Sequence, residues 1–292
     1  RKFIGVYRPM KLLRYGPTEQ ERPGMLDQGG YIRDLTEIVP DIAGSHIDPT
    51  FLAELAARDP ASFPVVDTNP RIGPCVGSVG KIVGIGLNYR EMAGETGDSM
   101  SSDPLIFLKA SSSISGPYDD TTLPPGSEKT DWEVELAVVI GRRAKNIAQP
   151  DAYDHIAGYC TINDLSERKF QLERGGQWVK GKSYDTFAPI GPWLVTKDEI
   201  ADPHKLRMWL KLNGKITQEG SSDTMINRID FLVAYISQFM TLHPGDIIST
   251  GTIPGLGMDM SPPRHLRNGD EVELGIDGLG WQRHRTVEDR PA

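Results

Sequence analysis

A chain of 292 residues suits one large domain, or a large domain with a small one attached, and 38% hydrophobic with 25% charged residues is ordinary for a globular protein. The net charge of −8 sets it against phosphate backbones and anionic membranes, with only short basic pairs such as Arg142-Arg143 to oppose that, so neither nucleic acid nor a lipid surface is expected as a partner. Two cysteines, Cys75 and Cys160, make neither a disulfide framework nor a thiolate cluster, and no stretch of about 18 apolar residues offers a membrane span, so a cytoplasmic protein is expected.

The opening "RKFIGVYRP" is basic and lacks the apolar core of a signal peptide; "MKLLRYG" from Met10 reads as a natural start and a short strand. Residues 1–9 are therefore expected to be an extension. "MLDQGGYIRDL" carries two short apolar runs about Gly29-Gly30, a hairpin signal. In "DPTFLAELAARDP", Asp48 and Pro49 are a helix cap and first-turn residue ahead of an apolar stripe. Residues 10–72 thus read as a small N-terminal domain, and the Pro/Gly-rich stretch 64–80 as a linker.

Residues 73–292 read as a single larger domain of many short strands, predicted at 81–86, 104–109, 133–140, 157–163, 190–195, 207–213, 246–250 and 270–275. "LPPGS", "LNGK", "HPGD" and "RNGD" supply turns between them. The clearest helix is 225–240, where Ile226, Ile229, Leu232, Val233, Ile236, Phe239 and Met240 share one face. Strands followed irregularly by helices predict a β-rich α+β fold rather than a doubly wound sheet.

In "DWEVELAVVIG" acid stands at alternate positions, Asp131, Glu133 and Glu135, while Trp132, Val134, Leu136, Val138 and Ile140 fill the other register. Residues two apart on a strand share a face, roughly 7 Å from each other. On an exposed face the carboxylates are merely solvated. On an enclosed face two like charges need a counter-charge, and a hard divalent cation supplies one. A third carboxylate, Asp164, ends the apolar run of "GYCTINDLSER"; it is either a further ligand or a helix N-cap boxed by Glu167. Removing Glu135 or Asp164 is expected to relieve carboxylate repulsion and leave the metal-free fold intact.

Arg168, Gln171, Arg174, Lys180 and Lys182 follow within 168–189 and suit an anionic small molecule, or form a solvated loop. "STGTIPGLG" can present backbone N–H groups and the Thr252 hydroxyl to a carboxylate, or be a plain turn. "GIGLNY" lacks the third glycine and the βαβ context of a dinucleotide site and is rejected as one. The six histidines show no metal or triad spacing and read mostly as surface or capping residues.

Taken in order, "GIGLNY", "DWEVELAVVIGRRA", "DHIAGYCTINDLSER", "QWVKGKSYDTFAPIGPWLV", "LNGK", "FMTLHPGDIISTGTIPG" and "LRNGDEVELGIDGLG" closely resemble the fumarylacetoacetate hydrolase family over roughly residues 78–287. The resemblance implies a mixed β-roll catalytic domain with a small leading domain, a homodimer, a Mg²⁺ or Mn²⁺ site and a small-molecule keto-acid substrate. Carried over, the metal carboxylates fall on Glu133, Glu135 and Asp164. The substrate-side residues fall on Tyr89, Arg168, Gln171, Lys182 and Thr252, and the catalytic ones on Glu95 and Lys182. One departure stands out: in "NYREMAGE" Met92 occupies the place of the family's lid histidine, whose partner Glu95 is retained. The implied reaction is hydrolysis of a C–C bond in a 2,4-diketo acid, such as 2,4-diketo-3-deoxy-L-rhamnonate or L-fuconate, to pyruvate and a hydroxy acid. A keto-acid decarboxylase or isomerase using the same enolate chemistry is the alternative, and a non-catalytic binding protein the more distant one.

Overall fold

The computed structural model describes residues 10–95 and 103–289, without the side chains of residues 93–95. Its largest element is a 10-stranded sheet. Across it run Ile32–Asp34, Arg22–Leu26, Lys11–Tyr15, Ala188–Thr196, Ile156–Asn163, Val134–Ile140, Ile247–Thr252, Ile82–Gly86 and Leu105–Lys109, with Ile114–Ser115 paired to Ala188–Thr196. Neighbours are antiparallel except Ile114–Ser115 on Ala188–Thr196 and Ile247–Thr252 on Ile82–Gly86. A 5-stranded sheet joins Lys215–Ser221, Arg207–Leu212, Glu271–Ile276, Gly280–Glu288 and Thr121–Leu123. The β-rich α+β class is the one expected.

The central strands Val134–Ile140 and Ile156–Asn163 are buried at every position, because both faces of the large sheet are covered. Leu136, Val138, Ile140 and Tyr159 share a core with Met208, Leu210, Val272 and Leu274 of the smaller sheet. Ala137, Val139, Cys160 and Ile162, in the opposite register, share a second core with Leu12 and Met25 and with Leu52 and Leu55 of the helix Pro49–Ala56. That helix is capped as predicted, the Asp48 carboxylate accepting the Thr50 N–H at 2.8 Å. The strand from Met10 pairs Lys11 with Val195 and Leu12 with Leu194, so the leading strands extend the sheet that carries the rest of the chain.

All eight strands predicted for the larger domain are present, with ends shifted by one or two residues. Of the strands outside the predicted set the two long ones are Lys215–Ser221 and Gly280–Glu288; the others are two or three residues each. The inward side chains of the long pair explain why it lies outside: Gln218 on one, and Gln282, His284 and Thr286 on the other, are buried and polar, which erases the alternation that reveals a strand. His284 is accordingly a buried exception among the histidines.

The helix Ile229–Phe239 starts later than its apolar stripe suggests, because Ile226 is tied to Asn88 by its backbone N–H. His204, from a preceding loop, accepts the Ile229 N–H through Nε2 at 3.2 Å and so serves as the missing cap. Burial, followed by the nearby Arg228, pushes the pKa of this imidazole below its ordinary value. A depressed histidine is stabilising while neutral, and the contribution is lost as pH falls below the unfolded value of about 6.5. Urea denaturation of wild type and His204→Gln at pH 7.5 and pH 5.5 should show wild type losing more stability over that interval. Equal losses would remove His204 from the pH response.

Candidate active site

The acidic run is not one continuous strand. Thr130–Asp131 pairs with Ser166–Glu167, Val134–Ile140 pairs with Ile156–Asn163, and Trp132 and Glu133 lie in the break. The kink is tied down by the Glu133 N–H donating to Asn163 Oδ1 at 3.0 Å and the Asp164 N–H donating to the Glu133 carbonyl at 2.9 Å. It brings Glu133, Glu135 and Asp164 together: all three are buried, with one carboxylate oxygen from each lying within 4.8 Å of the others. The enclosed-face reading of the acidic register is the one the fold adopts.

Each carboxylate has a different electrostatic setting. Glu133 lies between cations, accepting from Arg168 Nη2 at 2.7 Å and from Lys182 Nζ at 2.7 Å. Asp164 accepts from Lys182 at 2.7 Å and from Lys109 at 2.5 Å. Burial alone would raise its pKa, but the two ammonium groups outweigh burial and hold it down to about 2. Among the described residues Glu135 has no cation in contact and accepts only from Ser249 Oγ at 2.5 Å and the Gly251 N–H at 2.9 Å. Burial, then Asp164 and Glu133, pushes its pKa well above the usual carboxylate range. Gly251 makes the approach possible: its φ is +97°, and a Cβ there would meet Asn88 Cβ at 2.9 Å.

Asp131 is not part of the cluster but holds Arg168 at 3.1 and 3.0 Å and accepts the Gly257 N–H at 2.8 Å and the Met258 N–H at 3.2 Å. It thereby fixes both the guanidinium and the loop beyond the Ile247–Thr252 strand. Among the described residues four carboxylates (131, 133, 135, 164) face three cations (109, 168, 182), so that one carboxylate, Glu135, is left without a counter-charge whenever it ionises. Oxygen donors, burial and a charge deficit at one ligand all fit a hard divalent cation, which neither histidine nor cysteine would need to help bind.

The other expected site residues divide. Arg168, Gln171, Lys182 and Thr252 line, with Glu133 and Glu135, a cavity of about 260 Å³. The side chain of Gln171 accepts from Arg168 Nη1 at 3.1 Å. The Thr252 hydroxyl donates to the Val134 carbonyl and accepts from Gln218, so it meets the cavity as a fixed wall group rather than as a free donor. Of the backbone N–H groups that "STGTIPGLG" can present to a carboxylate, that of Gly251 is taken by Glu135. Tyr89 is buried in the core with its hydroxyl against Met208 Sδ at 3.6 Å, behind the cavity rather than on its wall. Met92 does line the cavity; Glu95 ends the helix Arg90–Glu95, and its side chain lies outside the described residues. The cap of the helix Arg168–Leu172 is Glu167, whose carboxylate accepts the Lys169 N–H, which leaves Asp164 for the cluster.

Lys109 escaped the sequence reading. It ends "LIFLK", where exposed Leu105 and Leu108 hide the inward register of Phe107 and Lys109. The available signal was a lysine in phase with Phe107 on a predicted strand.

Fold and site together define a β-rich enzyme scaffold whose buried carboxylate cluster opens into a cavity of small-molecule size. The family model described as fumarylacetoacetate (FAA) hydrolase, C-terminal, matches residues 81–287, and the chain belongs to that family. It is 55% identical over 278 residues to a Burkholderia orbicola protein provisionally named a hydrolase, covering 95% of this chain and 99% of that protein. Among solved structures it is similar to fumarylacetoacetate hydrolase from Exiguobacterium antarcticum, at 30% identity and a TM-score of 0.85, covering 96% of this chain and 100% of that one. It is also similar to maleylpyruvate hydrolase from Sphingobium sp. SYK-6 in complex with manganese(II) and pyruvate, at 28% identity and a TM-score of 0.80, with the same coverage. No helix among the described residues is long and apolar enough to cross a membrane.

Proposed function

We propose that this protein is a metal-dependent hydrolase of the C–C bond between carbons 3 and 4 of a 2,4-diketo acid, releasing pyruvate and a second carboxylic acid. The observation that carries the reading is the buried Glu133–Glu135–Asp164 cluster beside Lys182 and Arg168. The manganese(II) and pyruvate bound by the Sphingobium neighbour support it. Glu133, Glu135 and Asp164 would hold Mg²⁺ or Mn²⁺, which supplies Lewis-acid stabilisation of negative charge developing on a substrate oxygen.

The rest of the chemistry falls to the chain's own residues. Arg168 and Lys182 orient the substrate carboxylate, and the Lys182 charge lies beside the developing enolate. Gln171 holds the Arg168 fork in place. Glu95 takes a proton from the water that adds to carbon 4. The C3–C4 bond then breaks, its electron pair passes to carbon 3 as the pyruvate enolate, and a proton delivered there completes pyruvate. With Met92 in the cavity wall, Glu95 acts here without a histidine partner. The same reading takes the active protein to be a cytoplasmic homodimer.

A pyruvate-release assay on synthetic 2,4-diketo acids tests this. Release is expected with Mn²⁺ or Mg²⁺, to stop with chelator, and to place solvent ¹⁸O in the new carboxylate. Glu95→Gln should lower kcat by about 100-fold or more while Mn²⁺ affinity stays within about twofold. Release of CO₂ in place of pyruvate, or no turnover by protein shown to bind Mn²⁺, would overturn the assignment.

A further inference from the structure

The cavity is chemically divided. At one end lie Arg168 and Lys182 with the carboxylate cluster. Most of the remaining wall is apolar, with Met92, Phe107, Leu172, Trp178, Leu256 and Met258, and Gln171 and Thr252 on it are already hydrogen-bonded to Arg168 and to Val134 and Gln218. The rings of Phe107 and Trp178 lie 5.4 Å apart, tilted by 49° to each other, and together make an aromatic part of that wall, to which Met92 and Met258 add polarizable apolar surface. Both cations are held at the cluster end, each hydrogen-bonded to Glu133 and to a second carboxylate, and so lie with the keto-acid end of a substrate rather than at the far end.

Away from the cluster, the ionisable residue on this wall is Asp259, at the exposed mouth, with no cation in contact with its carboxylate among the described residues. Size agrees with composition. An apolar cavity of about 150 Å³ holds a benzene ring, so about 260 Å³ takes a three-carbon keto acid and a ring-sized group together.

On the reading given under Proposed function, we propose that the acyl end of the substrate is an uncharged hydrocarbon group, aryl or alkyl, and that Asp259 turns away substrates bearing a second carboxylate. A distal carboxylate would lose its hydration against Phe107 and Trp178 and face Asp259, with no cation at that end of the wall among the described residues to pair it. A polyhydroxylated tail would lose water hydrogen bonds to a wall that offers it few donors or acceptors. This moves the substrate class away from the 2,4-diketo-3-deoxy sugar acids that the family resemblance suggests.

The test compares kcat/KM of the Mn²⁺-loaded protein for benzoylpyruvate, for maleylpyruvate, which carries a second carboxylate, and for a 2,4-diketo-3-deoxy sugar acid. Benzoylpyruvate is expected to lead both by about tenfold or more. Asp259→Lys places a cation at the mouth and should shift the benzoylpyruvate-to-maleylpyruvate ratio toward maleylpyruvate by about tenfold; Asp259→Asn should move it less, in the same direction. If maleylpyruvate or the sugar acid is the best substrate, the apolar assignment is wrong while diketo-acid hydrolysis stands. An unmoved ratio in Asp259→Lys removes Asp259 as the discriminator. If none of the three is cleaved, hydrolysis itself fails, and calorimetric binding still reads the preference: maleylpyruvate binding as tightly as benzoylpyruvate would overturn it.

Discussion

Asp164→Ala is expected to cost the metal-free protein about 3–5 kcal/mol of stability, the range for removing one partner of a buried ion pair. Asp164 and Lys109 are both fully buried, and Lys182 nearly so. Without the aspartate, Lys109 keeps, among the described residues, only the Leu165 carbonyl at 3.1 Å, and Lys182 keeps Glu133. An ammonium ion enclosed in that way must either remain charged without a counter-ion or give up its proton, and burial already pushes the Lys109 pKa down. Relief of carboxylate repulsion, the outcome expected from sequence alone, is outweighed because the two lysine ammonium groups are in hydrogen-bond contact with Asp164, at 2.5 and 2.7 Å.

The pH dependence has a definite sign. A carboxyl held at about 2 in the fold contributes stability above its unfolded value of about 3.9, and that contribution is lost as pH falls through the native value. Urea unfolding in EDTA at neutral pH, with Asp164→Asn alongside, measures the effect. Asn keeps the shape and loses the charge, so most of the cost should persist. A loss below about 1 kcal/mol in both variants would mean that the lysines are not held in the interior by this aspartate.

Glu135→Gln should act in the opposite way on stability and just as severely on metal. In the metal-free protein Glu135 is the buried carboxyl of the cluster with a raised pKa and, among the described residues, no cation in contact. A carboxyl of that kind opposes folding increasingly as pH rises above its unfolded value of about 4.3, until the raised native value is passed. Glutamine fills the same space and still accepts from Ser249 Oγ and the Gly251 N–H. The variant is therefore expected to be as stable as wild type in EDTA, or more stable, at neutral pH. Changing a residue that only supports a metal ligand costs about 10–100-fold in affinity, so loss of a direct ligand should exceed that.

Thermal unfolding with and without Mn²⁺ separates the two effects. Wild type should gain Tm with the ion through linkage, and Glu135→Gln should gain none at the same concentration. A variant that is destabilised in EDTA, or that still responds fully to Mn²⁺, would show that Glu135 is neither electrostatically frustrated nor a ligand. Paired with Asp164→Ala, the experiment also tests the asymmetry of the cluster: one acid is compensated by lysines, the other awaits a cation.

Much of this site is legible along the chain because strand geometry is local. The two-residue repeat places Glu133 and Glu135 in one register, opposite the apolar one that ends in Ile140, and the end of the next apolar run marks Asp164. Arg168, Gln171 and Lys182 follow within one short segment. The strands with apolar inward faces were predicted for the same reason, and those facing inward with Gln282, His284 and Thr286 were missed for the converse one.

What the sequence by itself determined is the set of side chains available to the site and the β-rich frame that repeats them at the right spacing. What only the tertiary structure decided is the charge balance among them. Lys109 arrives from another strand of the large sheet, Asp131 is drawn away to Arg168 and the 257–258 backbone, and the apolar wall is gathered from four separate segments. Periodicity is a property of neighbours in the chain. Coulomb energy and desolvation depend on distance through space and on exclusion of water, and neither has a value until the chain has folded.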